Sequence, residues 1–247
     1  MTSTQVEVVT NRPIKPIASS GADFMRINRL TLPASDVAKS AAFFRDVLEL
    51  PIAGNSIQVG WSEIRLVSAV GDAPHGVHLA FNVPYDRFDA AIEWLKERTP
   101  LQREPDSGEC FVLEGHWQSK SIYFDGPDSS VLELIGRRRL IGPAGKRPFS
   151  GADLSCLSEV GLPTEDVGSV IAEAARTFGV ATLGPASPGF AAIGSDEGLL
   201  IAVAPSRPWF PEKRQLPSAK GLEIWLSGVD APGAMSDLAN GWKIHAA

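Results

Sequence analysis

The feature that most constrains this chain is an internal repeat. Leu30-Thr31-Leu32-Pro33-Ala34-Ser35-Asp36-Val37 returns as Val160-Gly161-Leu162-Pro163-Thr164-Glu165-Asp166-Val167, a constant 130 residues further on. In each copy a strand-like apolar run closes at a proline, and an aspartate follows where a helix N-cap belongs. Apolar residues then recur at helical spacing, Val37, Ala41, Phe44 and Leu48 in one copy and Val170, Ile171, Ala174 and Phe178 in the other, the latter closed by Gly179. Two further starts fit. Residues 78–83 alternate up to Pro84, with Asp86 as N-cap candidate and Phe88, Ala91, Ile92 and Leu95 as helix face. Residues 221–226 match 76–81. Strand-like segments follow each of the first three starts, at 56–60 and 63–70, at 109–113, 119–124 and 131–135, and at 190–193 and 199–204. The distance from Leu30 to Leu79 sets a unit of about 50 residues. Only 21 residues remain after Leu226, so the fourth unit is truncated.

A strand, a helix and two or three antiparallel strands cannot cover both faces of their own small sheet. Two such units side by side form a curved sheet with helices outside. The expected fold is therefore α+β: tandem βαβββ units making two cup-like half-barrel domains, the second truncated. In chain order this divides into an arm (1–23), a first domain of two units (24–136), a linker (137–153) and a second domain (154–247). The linker reading rests on Arg137, Arg138, Arg139, Lys146 and Arg147 interspersed with Gly142, Pro143, Gly145 and Pro148, a solvated run rather than an anion-binding patch. The third unit then lacks a complete partner within its chain, and its open sheet edge predicts a homodimer.

Composition narrows the function. The formal charge of -6 over 247 residues argues against nucleic acid as a partner. No apolar run reaches the roughly 18–20 residues of a membrane span, and no signal-peptide apolar segment opens the chain, so a cytoplasmic protein without a membrane partner is expected. Cys110 and Cys156 lie far apart outside any Cys-x-x-Cys pattern and read as reduced thiols. The sequence has no phosphate-cradling glycine loop, Gly-x-Ser-x-Gly elbow or His-Glu-x-x-His.

Residues 30–37, followed by Ala41-Ala42-Phe43-Phe44-Arg45-Asp46-Val47-Leu48-Glu49-Leu50, resemble the vicinal-oxygen-chelate superfamily, whose members include glyoxalase I, bleomycin-resistance proteins, fosfomycin-resistance enzymes and extradiol ring-cleaving dioxygenases. His78-Leu79-Ala80-Phe81-Asn82-Val83 and Tyr123-Phe124-Asp125-Gly126-Pro127-Asp128 through Leu132-Glu133-Leu134 extend the likeness. The resemblance implies a small-molecule ligand or substrate in the cup and a divalent metal held by residues from the first and last strands of the units. Carried over, those positions are His78 and Glu133 in the second unit. An imidazole and a carboxylate suit Fe, Mn, Zn or Ni. The implied activity is that of a metal-dependent lyase or ring-cleaving dioxygenase.

The first unit places Arg29 and Arg65 at the same positions, and arginine cannot ligate a metal. The third supplies Glu159 and apolar Ile201, and the fourth Glu223. A third ligand would have to be recruited, with His116 and Glu63 as candidates. The alternative is a metal-free binding protein of the bleomycin-resistance type for an anionic or aromatic molecule. There Arg29 or Arg65 satisfies Glu133, and Arg29, Arg65 and His116 form the substrate-binding set. A cup whose site has decayed, kept for dimerisation, is a third reading. Glu133 and Tyr123 are the catalytic candidates, the phenol as donor to a ligand. Arg207-Pro208-Trp209-Phe210-Pro211 either lines the pocket mouth, forms a subunit contact or plugs the sheet end. His75 and His245 are expected to be solvated or frayed.

Overall fold

In the computed structural model, residues 24–106, 108–142 and 147–246 are described; the expected arm and Pro143, Gly145 and Lys146 of the expected linker lie outside them. The first unit comprises β1 (Arg26–Ala34), α1 (Val37–Asp46), β2 (Ile52–Ala53), β3 (Ser56–Val59) and β4 (Ser62–Ser68). The second comprises β5 (His78–Pro84), α2 (Phe88–Lys96), β6 (Cys110–Leu113), β7 (Ser119–Asp125) and β8 (Val131–Arg137). The third is β9 (Cys156–Pro163), α3 (Val167–Phe178), β10 (Phe190–Ser195) and β11 (Gly198–Val203). The fourth has β12 (Glu223–Ser227), β13 (Gly233–Asp237) and β14 (Trp242–Ala246) with no helix between β12 and β13.

The repeated helix start is real chemistry. The Asp36 carboxylate accepts from the Lys39 N–H and Asp166 from the Ser169 N–H, each capping its helix. Asp86 does not do this. A 3-10 turn at Tyr85–Arg87 leads into α2, and the Asp86 side chain accepts from the Gly142 N–H instead. Pro33 does not end β1. The strand continues to Ala34 along β4, but its pairing with β12 stops at Thr31, so the proline lies where one edge of β1 is already free.

The units combine across chain order. One seven-stranded sheet runs β13-β14-β12-β1-β4-β3-β2, and the other β10-β11-β9-β5-β8-β7-β6. The first unit thus joins the fourth through antiparallel β1–β12, and the second joins the third through antiparallel β5–β9. The expected division at 137–153 falls inside the β5 sheet, between two strands that belong to it. The described part of that stretch is packed in places, while Arg138, Arg139, Ile141, Arg147 and Pro148 are exposed. Phe149 is buried against Trp94, Ser150 and Asp153 form a reciprocal cap around a 3-10 turn, and Arg137 is fully buried as the last residue of β8. The open edge that predicted a homodimer is occupied by β5 of the same chain.

One continuous apolar core lies between helices and sheets, with Phe44, Phe81, Phe88, Phe124 and Phe178 fully buried in it. Trp242 ties the fourth unit to the third by donating from its indole to the Pro163 carbonyl at 2.9 Å. Each central pairing carries a bulge at the same repeat position, Asn28 in β1 and Ser158 in β9, one residue before Arg29 and Glu159. In the β5 sheet the bulge frees the Leu157 N–H, which bonds the buried Ser62 hydroxyl, and Ser62 in turn donates to the Ile27 carbonyl. Such a bulge bends the strand and re-aims the side chain beside it.

Candidate functional site

Parallel pairing inside each unit fixes which side chains meet. On β5 and β8, His78 pairs with Val131 and Ala80 with Glu133, so His78 and Glu133 are offset by two residues on one face. On β9 and β11, Glu159 pairs with Leu199 and Gly161 with Ile201, which makes Glu159 the counterpart of His78 and Ile201 the counterpart of Glu133. Antiparallel β5–β9 pairing brings the two halves together, with Ala80 opposite Glu159. Three ligand-type side chains converge. One donor atom from each of His78, Glu133 and Glu159 lies within 4.8 Å of the others, and all three residues are buried.

Local contacts set their chemical states. His78 Nδ1 is 3.1 Å from the Val131 carbonyl, a contact only an N–H can make, so in the neutral ring the Nε2 lone pair faces the carboxylates. Nε2 is 3.5 Å from Glu133 Oε2 and 3.7 Å from Glu159 Oε2. Burial, then repulsion from Glu159, push the Glu133 carboxyl up to about 7 against the pull of His78. Burial lowers the His78 imidazole, but hydrogen bonding to Glu159 and the charge of Glu133 outweigh it, and the net shift is upward. Burial, then the charges of Glu133 and Glu159, raise the Tyr123 phenol well above its ordinary value, so it stays a neutral O–H.

Arg137 is the buried counter-charge. Its guanidinium bonds the Glu159 carboxylate, lies 3.7 Å from Asp196 and stands over the Trp117 ring at 5.7 Å. Above the three side chains opens a cavity of about 280 Å³, walled by Phe111, Trp117, Tyr123, Phe190, Trp209 and Phe210 among others. Trp209 stacks on His78 with ring centroids 4.8 Å apart and donates to the Gly76 carbonyl at 2.7 Å. Gly161 makes room for this. A Cβ there would lie 2.6 Å from the Trp209 ring and 3.1 Å from His78 Cβ.

The other expected site residues distribute as follows. Tyr123 is on the cavity wall beside Glu133. Arg29 and Arg65 are on the β1 sheet, where Arg29 stacks 4.0 Å over Trp225 and Arg65 is exposed; neither meets Glu133. The arginine that serves the buried carboxylates is Arg137, and it bonds Glu159. Glu63 is also on the β1 sheet and accepts from Ser56. His116 does not reach the three side chains: its ring packs on Trp117, 5.4 Å away, and its neighbour Trp117 lines the cavity instead. His245 is held in β14, stacked on Trp225, rather than frayed. Of residues 207–211, Arg207, Pro208, Trp209 and Phe210 line the cavity. Glu159 and Arg137 are the residues that sequence reasoning did not bring to the site. The 130-residue repeat marks Glu159 as a ligand position, but nothing local says that its unit shares a sheet with His78.

The donor set fits a divalent ion. One imidazole with a free Nε2 and two carboxylates offer three ligands from three strands, and apolar Ile201 leaves the fourth repeat position without a protein ligand. The set has one histidine and two carboxylates, so it is not the two-histidine triad of oxygen-activating iron.

No protein-family model matches the chain. Metallothiol transferase FosB of Staphylococcus haemolyticus is 30% identical over 122 residues, which span 44% of this chain and 81% of the relative. The protein of the same name from Staphylococcus saprophyticus is 26% identical over 122 residues, covering 74% of its length. Among solved structures, a putative dioxygenase from Bacillus subtilis superposes with a TM-score of 0.56 at 11% identity, over 90% of this chain and 84% of that one. Glyoxalase I from Zea mays gives 0.53 at 14% identity, over 90% and 92%. These two likenesses show the fold. With four related units, two curved sheets and a relative matched over four fifths of its length, the chain belongs to the vicinal-oxygen-chelate superfamily.

Proposed function

We propose that the protein is a divalent-metal-dependent enzyme that acts on a small metabolite in the cavity over His78, Glu133 and Glu159. The observation that carries this reading is the convergence of three buried ligand-type side chains from β5, β8 and β9, with His78 Nδ1 already committed to a backbone carbonyl. Held there, the ion would polarise a substrate oxygen and stabilise negative charge developing on it. Fe, Mn, Zn and Ni all accept such a donor set. The chain's own groups do the rest. The Tyr123 O–H faces the cavity as a donor, and Trp209, Phe210 and Phe111 keep water from the reacting atoms. Of the two activities the resemblance implies, lyase chemistry suits this arrangement better than ring-cleaving oxygenase chemistry, because the set has only one histidine.

The test is metal content of the purified protein by elemental analysis, then affinity by competition with a chromophoric chelator. One bound ion per chain is expected, with a loss of about 100-fold or more in His78→Ala. Affinity unchanged in His78→Ala and Glu159→Gln would refute the reading. One observation favours the second reading, a metal-free small-molecule binding protein: Arg137 already bonds Glu159 and offsets part of the buried charge that an ion would neutralise. Protein that neither retains nor takes up an ion, yet is stabilised by a small molecule, would decide for it.

A further inference from the structure

The cavity has a cation at its mouth that the metal reading does not use. Arg26, Arg137, Arg138, Arg139, Arg147 and Arg214 all pair with carboxylates. Arg207 lines the cavity, and no carboxylate lies within ion-pair distance of it among the described residues. Its guanidinium lies over the Phe190 ring, 4.5 Å from the centroid, so one face is stacked on an aromatic wall and the N–H edges remain free. The segment carrying it is fixed. The Arg207 N–H bonds the Ala204 carbonyl, the Trp209 N–H bonds Gln215, the Trp209 carbonyl accepts from Lys213, and the buried Trp209 indole is tied to Gly76. The backbone is thus preordered, while the guanidinium itself, on an exposed residue, is held by its contact with Phe190.

Charge balance points the same way. Glu133 and Glu159 ionised against Arg137 leave one negative charge, which a divalent ion converts to one positive charge. An anionic ligand is then favoured on charge alone, and the walls are aromatic. We propose that Arg207 is a specificity-determining residue that receives the anionic group of an aromatic acid, whose ring packs among Phe111, Phe190 and Phe210. This rests on the cavity over His78, Glu133 and Glu159 being the functional site, and it names the substrate class for it.

The test titrates benzoate, phenylphosphonate and the neutral benzamide into the protein, metal-loaded and metal-stripped, following tryptophan fluorescence. Wild type should bind at least one of the two anions more tightly than benzamide. Arg207→Gln should weaken that anion by about fivefold or more in both metal states, leave benzamide unchanged and leave metal affinity unchanged, while Arg207→Lys should recover part of the loss. Equal anion binding in Arg207→Gln and wild type overturns the proposal, as does failure of both anions to exceed benzamide in wild type. If the protein neither retains nor takes up an ion and Arg207→Gln still loses anion affinity, Arg207 is upheld while the metal reading is refuted, so the two fail separately.

Discussion

Glu133 gives the site a thermodynamic signature that can be read without knowing the substrate. An ordinary glutamate titrates near 4.5; buried beside Glu159, Glu133 titrates at about 7. The folded protein therefore holds this proton more tightly than the unfolded chain. The stabilisation is fully present below pH 4.5 and is lost as pH rises through 7. At 1.36 kcal/mol per pH unit over that interval, keeping Glu133 ionised in the metal-stripped fold costs about 3 kcal/mol. His78 is also shifted upward and contributes with the same sign. Urea denaturation in EDTA at steps from pH 4.5 to 8.5 should show wild type losing stability relative to Glu133→Gln by about 2–3 kcal/mol across the range. Adding the bound ion should reverse the trend, because the ion requires the ionised carboxylate. A wild-type minus Glu133→Gln difference that stays flat with pH would refute the claim that this carboxyl is buried against another.

Three further outcomes follow from the packing. Arg137→Met leaves the buried Glu159 carboxylate without its guanidinium and should cost about 3–5 kcal/mol in urea denaturation, with a cost below 1 kcal/mol counting against the buried pair. Gly161→Ala drives a methyl into Trp209 and His78, so about 1–3 kcal/mol of stability should be lost together with a shift in tryptophan emission; unchanged emission would mean that Trp209 does not seat on β9. Asp36→Ala and Asp166→Ala remove equivalent helix caps and should each cost about 1 kcal/mol, and no loss for either would deny that copy its capping role.

Much of this protein is legible in its residues because the relevant physics is local. A strand closing near a proline, an aspartate capping a helix and an apolar face at helical spacing are decided within about 20 residues, so the repeat and the helix starts at Val37 and Val167 can be read directly, and the length left after Leu226 marks the fourth unit as shortened without saying which element it lacks. The resemblance names His78 and Glu133 as ligand positions of their unit, and the 130-residue offset marks Arg29 and Glu159 as equivalent positions. Asp86 is the local exception, since a 3-10 turn takes over the helix start and its carboxylate serves Gly142 instead.

Which units share a sheet was settled only by tertiary structure. Alternation tells a side chain which face it points to, but the backbone edges of β1, β5, β9 and β12 offer the same hydrogen-bonding groups, and the choice among them is made by packing far along the chain. Once β9 joins β5, Glu159 enters the site, and Arg29 and Arg65 leave it. Arg137, one of a basic run that reads as solvent-exposed, becomes the buried counter-charge because β8 carries it under the Trp117 ring against Glu159. A charge's role depends on the dielectric around it, and that is set by the assembled core rather than by neighbours in sequence.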